Sequence, residues 1–258
     1  MRGAIHAVIL SPPCETWSVA RGNAYQHPIT SATIEGPPKL RSHQHPYGFP
    51  HLTHKQHQQT IVGTQLLFTA FQIITAAVHT GALAIMEHPS PPVWHKDYAA
   101  LCSIWKLTAT QLITSFPHTN TYQFNQSTHG QITKKPTTLL ISRINHDIIL
   151  STLYRRHPTC HNPQPQSTPF QLGLNSTTKQ YNTSFLKEYP PSLNKAIALM
   201  VLKQINYNRS QQLPHFPSHH QPSPDHEQHH ITFSPYTTPY DEYMEHELHI
   251  KHDYHKND

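Results

Sequence analysis

Apolar residues along this chain come in short runs, each stopped by proline or glycine, and the runs alternate between two periods. Residues 4–10 (AIHAVIL) form an uninterrupted aliphatic and β-branched run that reads as a buried strand. Pro12 and Pro13 end it, because proline cannot donate to a sheet ladder. From Leu52 to His79 the period lengthens to that of a helix, with Ile61, Phe68 and Ile73 marking turns and Gly81 closing it. Residues 82–86 (ALAIM) read as a second buried strand that ends in Glu87-His88-Pro89. A second helix is predicted over Ala99–Phe116, with a break at Thr108. Thr121–Asn125 and Thr137–Arg143 then read as two more strands, and a last helix follows Pro190-Pro191-Ser192, where proline is tolerated at a helix start.

The order strand, helix, strand, helix, strand, strand predicts an α/β fold: a partial Rossmann-like, mostly parallel sheet with an antiparallel final pair at its edge. Residues 1–150 make one unit, and 151–210 an irregular segment plus the C-terminal helix. Residues 211–258 are rich in His, Pro and Ser and poor in aliphatics, which predicts a disordered tail. Val19–His51 carries five prolines and is expected to be a long loop without regular structure.

Composition adds less than it first promises. The 258 residues include 25 His and 24 Pro but only 8 Gly, with 13% charged residues and a formal net charge of +5. His, Gln, Pro, Thr, Asn and Lys share A- and C-rich codons, so a strand-biased genome accounts for the histidines. A charge of +5 is compatible with a polyanionic partner without requiring one. Cys14, Cys102 and Cys160 are odd in number and far apart, which argues for a reducing, intracellular setting (nucleus or cytoplasm) and against a disulfide framework. The most apolar stretch, Leu66–Val78, is short and carries Thr69, Gln72 and Thr75, so it reads as a buried helix and no membrane partner is expected.

The candidate chemistry sits at the strand ends. Cys14 is presented on a rigid Pro-Pro turn at the carboxyl end of the first strand, where open α/β sheets place their sites. Glu87 ends the next strand, so the two lie side by side if those strands pair. A thiol and a carboxylic acid in one crevice suit covalent attack on an electron-poor ring with proton delivery to a ring nitrogen. Trp17 and Trp94 read as lids over the core. His51, His54 and His57, with His43 and His45 nearby, have spacings that can converge on zinc but follow no recognised ligand pattern, so no metal site is assigned.

Four blocks, SPPCETWSVAR, EHP, THGQITKKPTTLL and KEYPPSLNKAIA, occur in an order that resembles a divergent branch of the DNA (cytosine-5)-methyltransferases of phage and retroelement (mobile-element) type. The likeness spans roughly residues 4–205, in pieces. It implies that Cys14 attacks carbon 6 of a flipped cytosine and that Glu87 holds and protonates ring nitrogen 3. It further implies methyl transfer from S-adenosylmethionine. Pro13, Ser18, Arg21 and Lys135 then become substrate-binding positions, with Arg21 and Lys135 on backbone phosphate.

The departures are Glu15 in place of Gln, His88-Pro89 in place of Asn-Val, and Gln126-Ser127-Thr128 where the family carries a Gln-Arg-rich strand. No glycine-rich cofactor turn follows a strand, so the cofactor-binding residues are unassigned. The chain reads as the catalytic half, N-terminally truncated, inactive alone and dependent on another chain or on upstream coding sequence for the cofactor half. The alternative is a non-enzymatic nucleic-acid-binding remnant of a mobile element.

Overall fold

The computed structural model describes residues 5–19, 21–22, 25–26, 33–34, 36–131, 135–154 and 188–211. The expected irregular segment, the C-terminal tail and Cys160 lie outside the described residues, apart from short stretches flanking them.

The fold is mixed α/β around a four-stranded sheet. Strand β1 (Ala7–Leu10) is followed by a two-residue hairpin, β2 (Tyr25–Gln26) and β3 (Thr33–Ile34), then by helix α1 (His54–His79) and strand β4 (Leu83–Pro89). Helix α2 (Thr108–Thr114), strands β5 (Thr119–Asn125) and β6 (Pro136–Ser142), and helices α3 (His146–Leu153) and α4 (Pro191–Ser210) complete it. The sheet order is β1-β4-β6-β5.

β1 and β4 are parallel, with Ala7 opposite Leu83 and Leu10 opposite Met86. β6 runs antiparallel to both of its neighbours, β4 and β5. The expected mostly parallel sheet is therefore corrected: one of its three pairings is parallel. The link between β5 and β6, which carries the 3-10 turn Gln126–His129, is too short for a crossover helix and reverses the chain; β6 then inserts next to β4 and leaves β5 at the edge.

α1 starts where Thr53 and Gln56 form a reciprocal capping box and ends before Gly81, whose φ of +80° suits a residue without Cβ. One face of α1, through Leu67, Phe68, Phe71 and Ile74, buries the side of the sheet formed by Ala84, Met86 and Leu140. On the other side, Leu193, Ile197 and Met200 of α4 pack with Ile149 and Leu153 of α3 against Leu83, Ile85, Leu139 and Ile141. α1 is the one described helix long and apolar enough to cross a membrane, and half of its most apolar window is buried inside the fold.

Four further expectations need correction. The 19–51 loop contains the small β2–β3 hairpin. The helix expected over 99–116 shrinks to a single 3-10 turn at Ile104–Lys106 and the short α2, because Ser103 and Leu107 take extended backbone angles. Trp94 is 59% exposed and lids nothing, whereas Trp17 is buried. Finally, Glu87-His88-Pro89 does not follow β4 but belongs to it, since Glu87, His88 and Pro89 pair with Leu139, Thr138 and Thr137 of β6. Pro89 is tolerated as the last residue of the ladder, where its missing N–H matters least.

Candidate functional site

The site grows from the parallel pairing of β1 and β4. Ser11 follows the last residue of β1, and Glu87 follows the residue that pairs with Leu10, so their side chains meet: Ser11 Oγ donates to Glu87 Oε2 at 3.1 Å. Glu87 is 6% exposed. Alternation along β4 puts it on the α4 side of the sheet, with Ile85, while His88 turns to the α1 side.

Two residues close around the carboxylate from distant parts of the chain. The Tyr189 hydroxyl, one residue before the N-cap of α4, lies 2.6 Å from Glu87 Oε2 and 2.7 Å from Ser11 Oγ. Its one proton has two acceptors, Ser11 Oγ and the Glu87 carboxylate, and the charged carboxylate is the stronger. Gln126, fully buried in the turn after β5, directs Nε2 toward Glu87 Oε1 at 3.4 Å and Thr137 Oγ1 at 3.0 Å. Its Oε1 is buried without a partner among the described residues. Ser192 Oγ donates to the His129 carbonyl, which anchors the start of α4 and hence Tyr189 beside the site.

Cys14 sits on the turn two residues past Pro12, and the Trp17 N–H donates to its carbonyl at 3.0 Å. The thiol is partly exposed, and its pKa is raised first by burial and then by the negative charge of Glu87; Lys135 opposes both. Burial, the Glu87 charge and the hydrogen bond to Glu87 also hold the Tyr189 phenol well above its usual range. The Lys135 ammonium lies 5.5 Å from the centroid of the Tyr189 ring. Cys14, Glu87, Lys135, Tyr189, Ser11 and Gln126 thus form one electrostatically coupled group. Burial and the Glu87 charge together favour the protonated thiol.

The other predicted positions fall to one side. Pro13 lines a neighbouring cleft of about 690 Å³ between the Cys14 loop and the first turns of α1, and Arg21 lines it too. Arg21 Nε donates to the Pro38 carbonyl at 2.9 Å, and the Ser18 carbonyl accepts from the Arg21 N–H. Ser18 and Arg21 therefore shape the loop rather than meeting Cys14 and Glu87.

Sequence reasoning missed Ser11 and Tyr189 as site residues, and it treated Gln126 only as a poor match. It missed Arg41 altogether. Arg41 is 4% exposed and runs under the Cys14 loop. It donates to Thr16 Oγ1 (3.1 Å), Thr64 Oγ1 (3.0 Å) and the carbonyls of Pro46 (2.8 Å) and Thr60 (2.7 Å). Its guanidinium also stacks 3.9 Å from the centroid of the Trp17 ring. Gly63 makes room for this: a Cβ there would meet Thr16 Oγ1 at 2.9 Å and Arg41 Nη2 at 3.4 Å. A buried arginine leaves no periodic trace in a sequence, so only its place in the fold could reveal it.

Among the described residues no three His, Cys, Asp or Glu side chains converge to hold a metal ion. A nucleotide-type cofactor needs a glycine-rich turn joining a strand to a helix. The described glycines with positive φ are Gly22, Gly48, Gly81 and Gly130, and none directly joins a strand to a helix. The described residues do not fit S-adenosylmethionine. Comparison with protein-family models, with curated proteins and with solved structures finds no match.

Proposed function

We propose that this chain carries the base-attacking half of a DNA (cytosine-5)-methyltransferase-like enzyme, with Cys14 as nucleophile and Glu87 as its acid. The observation that carries the reading is the β1–β4 pairing, which sets the Pro-Pro-Cys turn beside a buried carboxylate coupled to the thiol. The same pairing, two parallel strands joined by a crossover helix, supports assigning the fold to the later part of a Rossmann-like methyltransferase sheet.

In the proposed step a flipped cytosine enters the site, since carbon 6 is out of reach in a stacked duplex. The Cys14 sulfur bonds to carbon 6 as the carbon 5–carbon 6 π bond opens into the ring. The thiol proton passes to the Glu87 carboxylate and from there to nitrogen 3, which leaves Glu87 ionised again. Sulfur and hydrogen thus add across the ring with no other reactant. Gln126 Oε1 supplies an acceptor for the base amino group, and Tyr189 must give up its hold on Glu87 Oε2 for the base to enter. Completing a methyl transfer requires a cofactor half, whether on another chain or in sequence upstream of this one.

DNA bearing 5-azacytosine tests the step on this chain alone, because the extra ring nitrogen makes carbon 6 more electrophilic. We expect a protein–DNA adduct in denaturing electrophoresis, mapped to Cys14 by mass spectrometry and abolished in Cys14→Ala. A folded chain that forms no adduct, or an adduct that survives Cys14→Ala, sinks the proposal. The second reading, a binding remnant in which the site is inert, draws on the latched state of Glu87 under Tyr189. It predicts salt-sensitive DNA binding that Cys14→Ala and Glu87→Gln leave unchanged.

A further inference from the structure

Charge is divided unequally along the chain. Residues 1–211 hold 17 Lys and Arg against six Asp and Glu, a surplus of eleven cations, whereas residues 212–258 hold two Lys against eight acids. Between Glu15 and Glu87 the only acid is Glu35, set against Arg21, Lys39, Arg41 and Lys55. Two of those cations line the cleft beside the Cys14 loop. Arg21 and Lys55 line it together with His54, Gln58 and Val62, Glu15 is the one acid among its lining residues, and the Lys39 stem lies against Gly22 next to Arg21. The first turn of α1, which opens onto the cleft, carries no acidic residue, so nothing there offsets the positive end of the helix.

We infer that this cleft is a docking site for an acidic peptide, and that its occupant is the chain's own segment Asp241–Glu247 (DEYMEHE). That segment places four carboxylates in seven residues around Tyr243 and Met244. The carboxylates match Arg21 and Lys55 on the rim, with Lys39 next to Arg21, and the two apolar side chains match Pro13 and Val62 on the wall. The reach is sufficient. About 30 residues separate the end of α4 from Asp241, and a chain of that length can reach at most roughly 100 Å, several times the ~17 Å radius of gyration of a domain of about 200 residues. The consequence rests on the nucleic-acid reading above: the segment covers the cations beside Cys14, including the Arg21 that the resemblance places on phosphate, and so competes with DNA for them.

Zero-length carbodiimide cross-linking of the full chain, with peptide mapping of the monomer, tests the contact without DNA. Cross-links between Lys55 or Lys39 and the carboxylates of residues 241–247 are expected. Those carboxylates linking only to Lys195 or Lys203 of α4, or to nothing, overturn the inference. Competition is read by fluorescence anisotropy with a labelled 20-base-pair duplex. The full chain carrying D241N, E242Q, E245Q and E247Q should bind at least tenfold more tightly at 50 mM salt, with the gap closing at 300 mM. Equal affinity at low salt overturns the competition. Cross-links found in a chain that binds no duplex would overturn the nucleic-acid reading and uphold the docking.

Discussion

Arg41→Met should destabilise the folded chain by about 3 kcal/mol or more, the largest single-residue effect expected. Arg41 gives four hydrogen bonds from a nearly inaccessible position, and bonds from a charged donor contribute about 1.5–3 kcal/mol each before desolvation is counted. Desolvating the guanidinium offsets much of that sum. Removing it nevertheless strips the Pro46 carbonyl and the Thr16 hydroxyl of their donor and leaves Trp17 without its stacking partner. In a domain of this size the loss corresponds to roughly 6–12 °C in Tm. Arg41→Lys should recover less than half, because one ammonium cannot serve four acceptors spread along a planar fork. A Tm within 2 °C of the parent for Arg41→Met would show that the loop is held by something else.

Acid should destabilise this protein well before its carboxylates are protonated, and His88 is the reason. His88 is 3% exposed, neither ring nitrogen has a hydrogen-bond partner among the described residues, and burial lowers its pKa to about 3, with only the Pro89 backbone opposing. An unfolded histidine titrates near 6.5. Above that pH both states are neutral at this position and it adds no pH dependence. As the pH falls below about 6.5 the unfolded chain takes up a proton that the folded chain refuses. Stability then drops by about 1.4 kcal/mol per pH unit until the folded pKa is reached. At pH 4.5 the loss is about 3 kcal/mol. Urea unfolding between pH 7.5 and 4.5 measures it, and His88→Phe should flatten the profile over the same range. A parent chain whose stability is level down to pH 4.5 contradicts the assignment.

Much of this architecture was legible in the residues, and the rest had physical reasons not to be. The uninterrupted aliphatic runs located β1 and β4, and period plus caps located α1, and the start of α4, to within two residues. Which strand stands beside which is a matter of non-local pairing. Nothing in residues 136–142 says that they lie between β4 and β5 rather than outside them, so the sheet turned out mostly antiparallel. Pro89 read as a stop, yet it forms the last ladder pair with Thr137. α3 was overlooked because its eight residues show barely two turns of pattern.

At the site, Cys14 and Glu87 stood out because they follow apolar runs. Their supports did not: Tyr189 lies 102 positions from Glu87 in sequence, and Gln126 lies 39. Short-range reading finds the ends of strands, whereas the groups that tune them come from wherever the chain folds back.

The most direct test of that arrangement is the pH dependence of Cys14 alkylation by iodoacetamide, measured in a Cys160→Ser background. Cys102 stays silent there, because burial pushes its thiol up to about 12. If Cys14 and Glu87 share one site, Glu87→Gln removes a charge that raises the thiol pKa, and the alkylation midpoint moves to lower pH. Lys135→Met removes the opposing cation and moves the midpoint higher. A midpoint that neither substitution shifts, in chains that remain folded, would mean that the thiol and the carboxylate do not sense one another, and the account of a joint site would fail.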